Sequence, residues 1–253
     1  MKAIDLHSHC NAGLKNDVPE TKVHLSNYEF LVSNYKNCGV IAGAFSYYAA
    51  VIATDEIYES NEKLFVQAQK EKELYQWLVL DPRQENLFSQ IKEKIINNKV
   101  VGIKIHSPYH QYKLRDFGDR IFSFANELNS FVLMHPETDK SILEMIDFAD
   151  KYPKMNLIIA HLSSVEHVEA IKNAKHGNIF TDTSGSLSVR NNIVEYAVES
   201  VGSEKIFFGT DTYACGFQKG RIEYANIGEE DKKNILFNNA KRYFARQFEN
   251  IVI

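Results

Sequence analysis

Eight short apolar runs, each followed by a segment with apolar residues three and four apart, recur from one end of the chain to the other. The runs KAIDLH (2–7), VIAGAF (40–45), YQWLVL (75–80), VVGIKIH (100–106), FVLMH (131–135), NLIIAH (156–161), NIFTDT (178–183) and KIFFGTD (205–211) read as strands. Helical spacing fills 27–38, 54–72, 86–98, 121–129, 141–152, 165–174 and 190–200, and a last helical segment covers 229–248. Strict β-then-α order needs crossover connections, hence a parallel sheet. Eight such units in 253 residues predict an α/β fold closed as a (β/α)8 TIM-type barrel, a single domain over residues 1–253. An open doubly wound sheet would want a glycine-rich phosphate turn after the first strand, where this chain has HSHCNAG.

Charge and cysteine content narrow the class. The 29 basic and 33 acidic residues are well mixed, which leaves neither a basic footprint for nucleic acid nor a polybasic membrane patch. No apolar stretch approaches a membrane span, and the polar DLHSHC arrives too early for a secretory h-region. Cys10, Cys38 and Cys215 are odd in number and outside any CxxC, as expected of reduced thiols in a cytoplasmic protein.

In a barrel of this type the chemistry belongs at the C-terminal ends of the strands. Strand one ends in His7 and His9, strand four in Lys104 and His106, strand five in His135, strand six in His161 and strand eight in Asp211. Five of the nine histidines thus meet at one rim. Residues two apart leave an extended strand on the same face, so His7 and His9 point together. On the same alternation Ile4 and Leu6 face the outer helices, as do Ile103, Ile105, Ile206 and Phe208, while Asp5 shares the interior with Lys104 as a candidate salt-bridge partner.

Imidazole and carboxylate donors without cysteine suit zinc or another first-row divalent metal. Three histidines and one aspartate leave a position for water, whose pKa the metal lowers toward about 7. Asp211 is then suited to take the water's proton and hand it to a leaving group, and His161 to polarise a carbonyl oxygen or orient the hydroxide.

The ordered set DLHSH, GIKIH, MHP, IIAHLS and FFGTDTY, closed by NILFNNAKRYF, resembles the amidohydrolase superfamily and, more narrowly, its amidohydrolase-related branch with the aminocarboxymuconate-semialdehyde decarboxylase relatives. The resemblance runs from residue 4 to about 244. It implies His7, His9, His135 and Asp211 as metal ligands and His161 as a neighbour that assists catalysis or binds a second metal. In binuclear members a carbamylated lysine on strand four bridges two metals, a role open to Lys104. With His106 one step nearer the mouth, one metal is favoured over two, Lys104 and His106 contacting substrate. Histidine-rich phosphoesterases of the PHP type also begin with HxH, but finish with an Asp-x-His that GTDTY lacks.

Around the rim, Tyr109 and Arg83 are candidates for substrate contact, the one an aromatic ring with a hydroxyl and the other a fork for an anionic group. Arg190 is the second arginine near a strand end, and His24 in the first loop is near enough in sequence to reach the mouth. His167 within a helix and His176 before strand seven read as solvated surface. The resulting expectation is a metal-dependent hydrolase acting through an activated water on a small amide, lactone or ester. The alternative is a non-oxidative decarboxylase of a small carboxylic acid using the same metal shell, which would need a carboxylate-binding arginine, Arg83 or Arg190, near the metal. The expected partner is a small molecule, not nucleic acid or membrane. Barrels of this kind often form homo-oligomers, though no apolar stripe here marks an interface.

Overall fold

A computed structural model describes residues 1–10 and 27–251, so His24 lies outside the described residues. Eight parallel strands form one sheet in chain order: β1 (Ala3–Cys10), β2 (Val40–Tyr47), β3 (Leu74–Val79), β4 (Val100–Ile105), β5 (Phe131–Met134), β6 (Asn156–Ile159), β7 (Ile179–Asp182) and β8 (Ile206–Phe207). Its two ends meet through the Ser8–Asp211 bridge and through Leu6 N–H, which donates to the Phe208 carbonyl at 2.9 Å. The expected (β/α)8 barrel is therefore the observed fold.

The outer layer is α1 (Tyr28–Cys38), α2 (Ile57–Lys70), α3 (Glu85–Lys94), α4 (Leu114–Glu127), α5 (Asp139–Lys151), α6 (Val165–Asn173) and α7 (Ile193–Val201). After β8 come α8 (Cys215–Glu223), which the apolar spacing does not mark, and a terminal helical stretch from Glu229 to Tyr243 with a π-helical turn over Asn234–Asn238. Asn27 caps α1 by accepting from Phe30 N–H, and Gly39 ends it in the left-handed conformation (φ 70°) that glycine adopts without Cβ strain. Among the described residues no helix is long and apolar enough to cross a membrane.

The barrel interior is divided by height. Toward the N-terminal ends of the strands it is apolar, with Ile4, Leu6, Trp77, Val101, Leu133, Phe180 and Phe207 in one cluster that draws on every strand. Phe244 and Phe248 of the terminal segment join that cluster and close the lower end. Lys104 and the histidines lie above it. Outside, Ile103 and Ile105 pack with Ile121 and Phe122 of α4, and Ile206 and Phe208 with Val194 and Ala197 of α7, as the alternation predicts.

Strand β1 departs from that alternation. Asp5 pairs with Gly43 and Ser8 with Phe45, three steps on β1 against two on β2, which is a β-bulge. The extra residue puts Leu6 and His7 both inside the barrel. Ile4 and Leu6 accordingly belong to the interior cluster, not to the outer layer. Asp5 turns outward to Tyr35 of α1, whose hydroxyl donates to it at 2.5 Å. The expectation of an interior Asp5 beside Lys104 is corrected by the same bulge: its carboxylate also accepts from the Thr210 hydroxyl at 2.5 Å and from the His7 backbone N–H at 3.0 Å. Burial pushes its carboxyl up to about 7 against those hydrogen bonds.

Candidate active site

The candidate side chains stand where the strands end. His7 and His9 close β1, His106 and His135 directly follow β4 and β5, His161 lies two residues past β6, and Asp182 is the last residue of β7. His161 (φ 65°) and, after β8, Asp211 (φ 61°) are backbone outliers in the left-handed region, at about 1–2 kcal/mol each. Both are held there by hydrogen bonds. Asp211 N–H donates to the His7 carbonyl at 2.6 Å, and His161 N–H to Asp182 Oδ1 at 3.2 Å.

His7 Nδ1 lies 2.9 Å from Asp182 Oδ2, and its Nε2 3.0 Å from Lys104 Nζ. His9 Nδ1 is 2.8 Å from Ser46 Oγ, and its Nε2 3.2 Å from Asp211 Oδ1. One ligand atom from each of His7, His9 and Asp211 falls within 4.8 Å of the others. His135 is not in that group. Its Nδ1 is 3.0 Å from His161 Nε2, and its ring stacks on His106 at 4.1 Å between centroids. His106 in turn stacks on Tyr109 at 4.2 Å and accepts the Tyr109 backbone N–H on Nδ1.

Electrostatics follow from burial. Burial pushes the His7 imidazole down to about 3, helped by the Lys104 ammonium, and lowers His9, His106 and His135 as well. Burial also lowers Lys104 to about 8, against the pull of Asp211 and Asp182. The Asp211 carboxyl is pushed up by burial, but above all its hydrogen bond with His9 holds it well below the usual carboxylate range. Neutral imidazoles around an ionised carboxylate are what a divalent cation requires. With both Nδ1 atoms engaged by Asp182 and Ser46, the Nε2 atoms of His7 and His9 are the ones turned to the interior, toward Lys104 and Asp211, and this donor set fits a metal ion.

A cavity of about 510 Å³ opens over these groups, walled by His9, Lys104, His106, His135, His161 and Asp211, with Tyr109 at its edge. Arg83 is not among the lining residues: its guanidinium is held on Asp81 at 2.6 Å and on the His110 carbonyl at 2.6 Å. Arg190 donates instead to the Ser163 carbonyl at 2.7 Å. His176 is exposed as expected, but His167 is fully buried, with Nε2 3.1 Å from the Ala160 carbonyl. That corrects its reading as surface: it shares the inward stripe of α6 with Val168 and Ile171.

Three residues that hold the site histidines escaped the sequence reading, the first being Ser46 against His9. Asp182 touches His7, and Ser184 Oγ lies 2.9 Å from both His7 Nδ1 and His161 Nδ1. A signal for Asp182 was present, since it stands one residue before the end of the seventh run, near the place that Asp211 takes at the end of the eighth.

The amidohydrolase family model matches residues 4–246. No curated protein matches the sequence. Among solved structures, 2,6-dihydroxybenzoate decarboxylase from Rhizobium is similar with a TM-score of 0.77 at 14% identity, covering 97% of this chain and 99% of that one. A 5-carboxyvanillate decarboxylase from Sphingomonas paucimobilis has a TM-score of 0.78 at 14% identity, covering 96% and 99%. A dihydroxybenzoic acid decarboxylase from Polaromonas, solved with manganese and 2-nitroresorcinol, has a TM-score of 0.78 at 17% identity, covering 100% and 99%. At such identities the likeness is one of fold. The family match over nearly the whole length carries the assignment: the chain is an enzyme of the amidohydrolase family.

Proposed function

We propose that this enzyme is a divalent-metal-dependent, non-oxidative decarboxylase of a small planar carboxylic acid. The observation that carries the reading is the continuous stack of His135, His106 and Tyr109 along the wall of a cavity that also holds a buried lysine. Rings stacked on one another present a row of edges along the stack, which suits the face of a flat substrate set against it, and the Lys104 ammonium offers the cavity a cation for its carboxylate or ring oxygen. Similar folds named as decarboxylases of hydroxylated benzoic acids support the same reading, and favour it over the hydrolase suggested first by the sequence.

A divalent ion on His7, His9 and Asp211, with His135 as a further candidate ligand, would supply the positive charge that polarises a substrate oxygen. Manganese in a similar fold argues for that ion as readily as for zinc. In the reaction the bond to the carboxyl group breaks, its electron pair stays on the ring carbon, and that carbon takes a proton as CO2 leaves. Asp211, ionised at rest, accepts a proton from a substrate hydroxyl and returns it to that carbon. His161 holds the substrate oxygen nearby. With Arg83 and Arg190 both engaged elsewhere, Lys104 takes the anion-binding role expected of an arginine.

The test is to load the protein with Mn2+ or Zn2+ and assay CO2 release from mono- and dihydroxybenzoic acids beside a panel of amides, lactones and esters. CO2 release abolished by chelator supports the proposal. Turnover confined to the acyl panel would replace it with the hydrolase reading.

A further inference from the structure

We propose that Asp182 is a positioning residue that fixes His7 with its proton on Nδ1 and so turns the Nε2 lone pair toward the metal position, with Ser184 holding the Asp182 carboxylate in place. The proposal rests on the reading of His7 as a metal ligand, not on the identity of the reaction.

An ionised carboxylate only accepts hydrogen bonds. The groups around Asp182 Oδ1 are donors, the Ser184 and His161 backbone N–H groups and the Ser184 hydroxyl, which is the surrounding of an ionised carboxylate. With Asp182 Oδ2 2.9 Å from His7 Nδ1, that nitrogen carries the proton. The other end of the ring agrees. Lys104 Nζ, 3.0 Å from Nε2, is a donor when charged, so Nε2 is the acceptor.

The other carboxylate oxygen is saturated. Asp182 Oδ1 accepts from Ser184 N–H at 2.9 Å, from the Ser184 hydroxyl at 2.5 Å and from His161 N–H at 3.2 Å. The Ser184 hydroxyl has given its hydrogen to Asp182, so it meets His7 Nδ1 and His161 Nδ1 as an acceptor, each at 2.9 Å. One buried carboxylate thereby orients two site histidines, and it holds His161 in its left-handed backbone conformation as well.

Asp182→Asn isolates the effect because it keeps the shape of the side chain. Two backbone N–H groups and a hydroxyl point at Oδ1, so the amide oxygen stays there. The NH2 group then falls at the Oδ2 position and donates to His7 Nδ1, which drives the ring proton to Nε2.

The experiment uses the full-length protein with 15N-labelled histidine, stripped of metal by chelator. Long-range 1H–15N correlation spectra read the tautomer of His7, identified by the signals missing in His7→Gln, and Mn2+ affinity is measured separately by titration. The wild type is expected to carry the proton on Nδ1 and Asp182→Asn on Nε2, with the Mn2+ dissociation constant raised about 10–100-fold. Ser184→Ala is expected to keep the Nδ1 proton on His7, since Asp182 Oδ2 still accepts it. A wild-type His7 protonated on Nε2 overturns the proposal, and decides it even where a variant fails to fold. So does an Asp182→Asn protein that keeps both the Nδ1 proton and wild-type Mn2+ affinity. Neither readout involves substrate, so failure of the decarboxylase reading would leave both unchanged.

Discussion

The indole Nε1 of Trp77 donates to the backbone carbonyl of Leu6 at 2.8 Å, inside the barrel and beside the bulge of β1. A bulge disrupts the ladder locally, and a buried carbonyl left without a donor is costly. Trp77 supplies that donor from β3. Trp77→Phe keeps most of the ring but removes the hydrogen bond, and should destabilise the fold by about 1–3 kcal/mol in urea unfolding. Because His7 follows Leu6 directly, the same variant should also hold metal less tightly than the wild type. Wild-type stability would show that the bulge does not depend on the indole.

The candidate metal site makes a simpler demand. His7 and His9 bring their Nε2 atoms together with Asp211. The protein purified without chelator is expected to contain about one divalent ion per chain. In a His7→Ala/His9→Ala double variant that ion should be lost, as read by plasma emission. About two ions per chain would point to a bridging, carbamylated Lys104. No ion in the wild type, even after reconstitution, would remove the metal from the reading of this site.

Gly185 faces His161 at close range. A Cβ built at Gly185 would stand 2.7 Å from His161 Nδ1, and the residue has φ 82°. Gln218 of α8 donates to its carbonyl at 2.9 Å, which pins the loop in that conformation. Gly185→Ala therefore meets both backbone strain and a clash with a site histidine. Expected is a loss of about 2 kcal/mol in stability, with a fall in kcat larger than any change in KM. Unchanged kcat in a folded variant would mean that His161 moves aside without cost to the reaction.

The strands were legible because each is a short apolar run bounded by polar residues, and their order alone implied the barrel. The rim histidines were legible for the same reason, since a polar residue that ends an apolar strand stands out. The β1 bulge was not: alternation along IDLHSH assumes an unbroken pleat, and one extra residue exchanges Asp5 and Leu6 between inside and outside. Asp182 was passed over because it lies within the run NIFTDT, where the threonines on either side blur the strand's end. Helix α8 escaped because CGFQKGRIE carries no clear apolar stripe. Arg83, read as a fork for substrate, was answered locally by Asp81 two residues away.

His167 gives a prediction that depends on the fold and not on the metal. Its ring is buried against the Ala160 carbonyl at 3.1 Å and the Ser164 hydroxyl at 3.3 Å. Burial pushes its pKa down to about 4, partly offset by the Ala160 hydrogen bond. The unfolded chain takes up that proton near the ordinary value of about 6.5. Between these two values the unfolded state binds more protons, so stability rises with pH across this window. The contribution is complete above the upper value and is lost as pH falls toward the lower one. His167→Gln removes the titration, and its stability relative to wild type should improve by up to about 1.4 kcal/mol per pH unit as the pH is lowered through the window. Lost packing and the lost imidazole hydrogen bond shift the two proteins apart by the same amount at every pH, so they do not affect the slope. Urea unfolding of both proteins at about pH 7.5 and about pH 5 reads the difference, and parallel pH dependence would mean that His167 is protonated as readily in the fold as out of it.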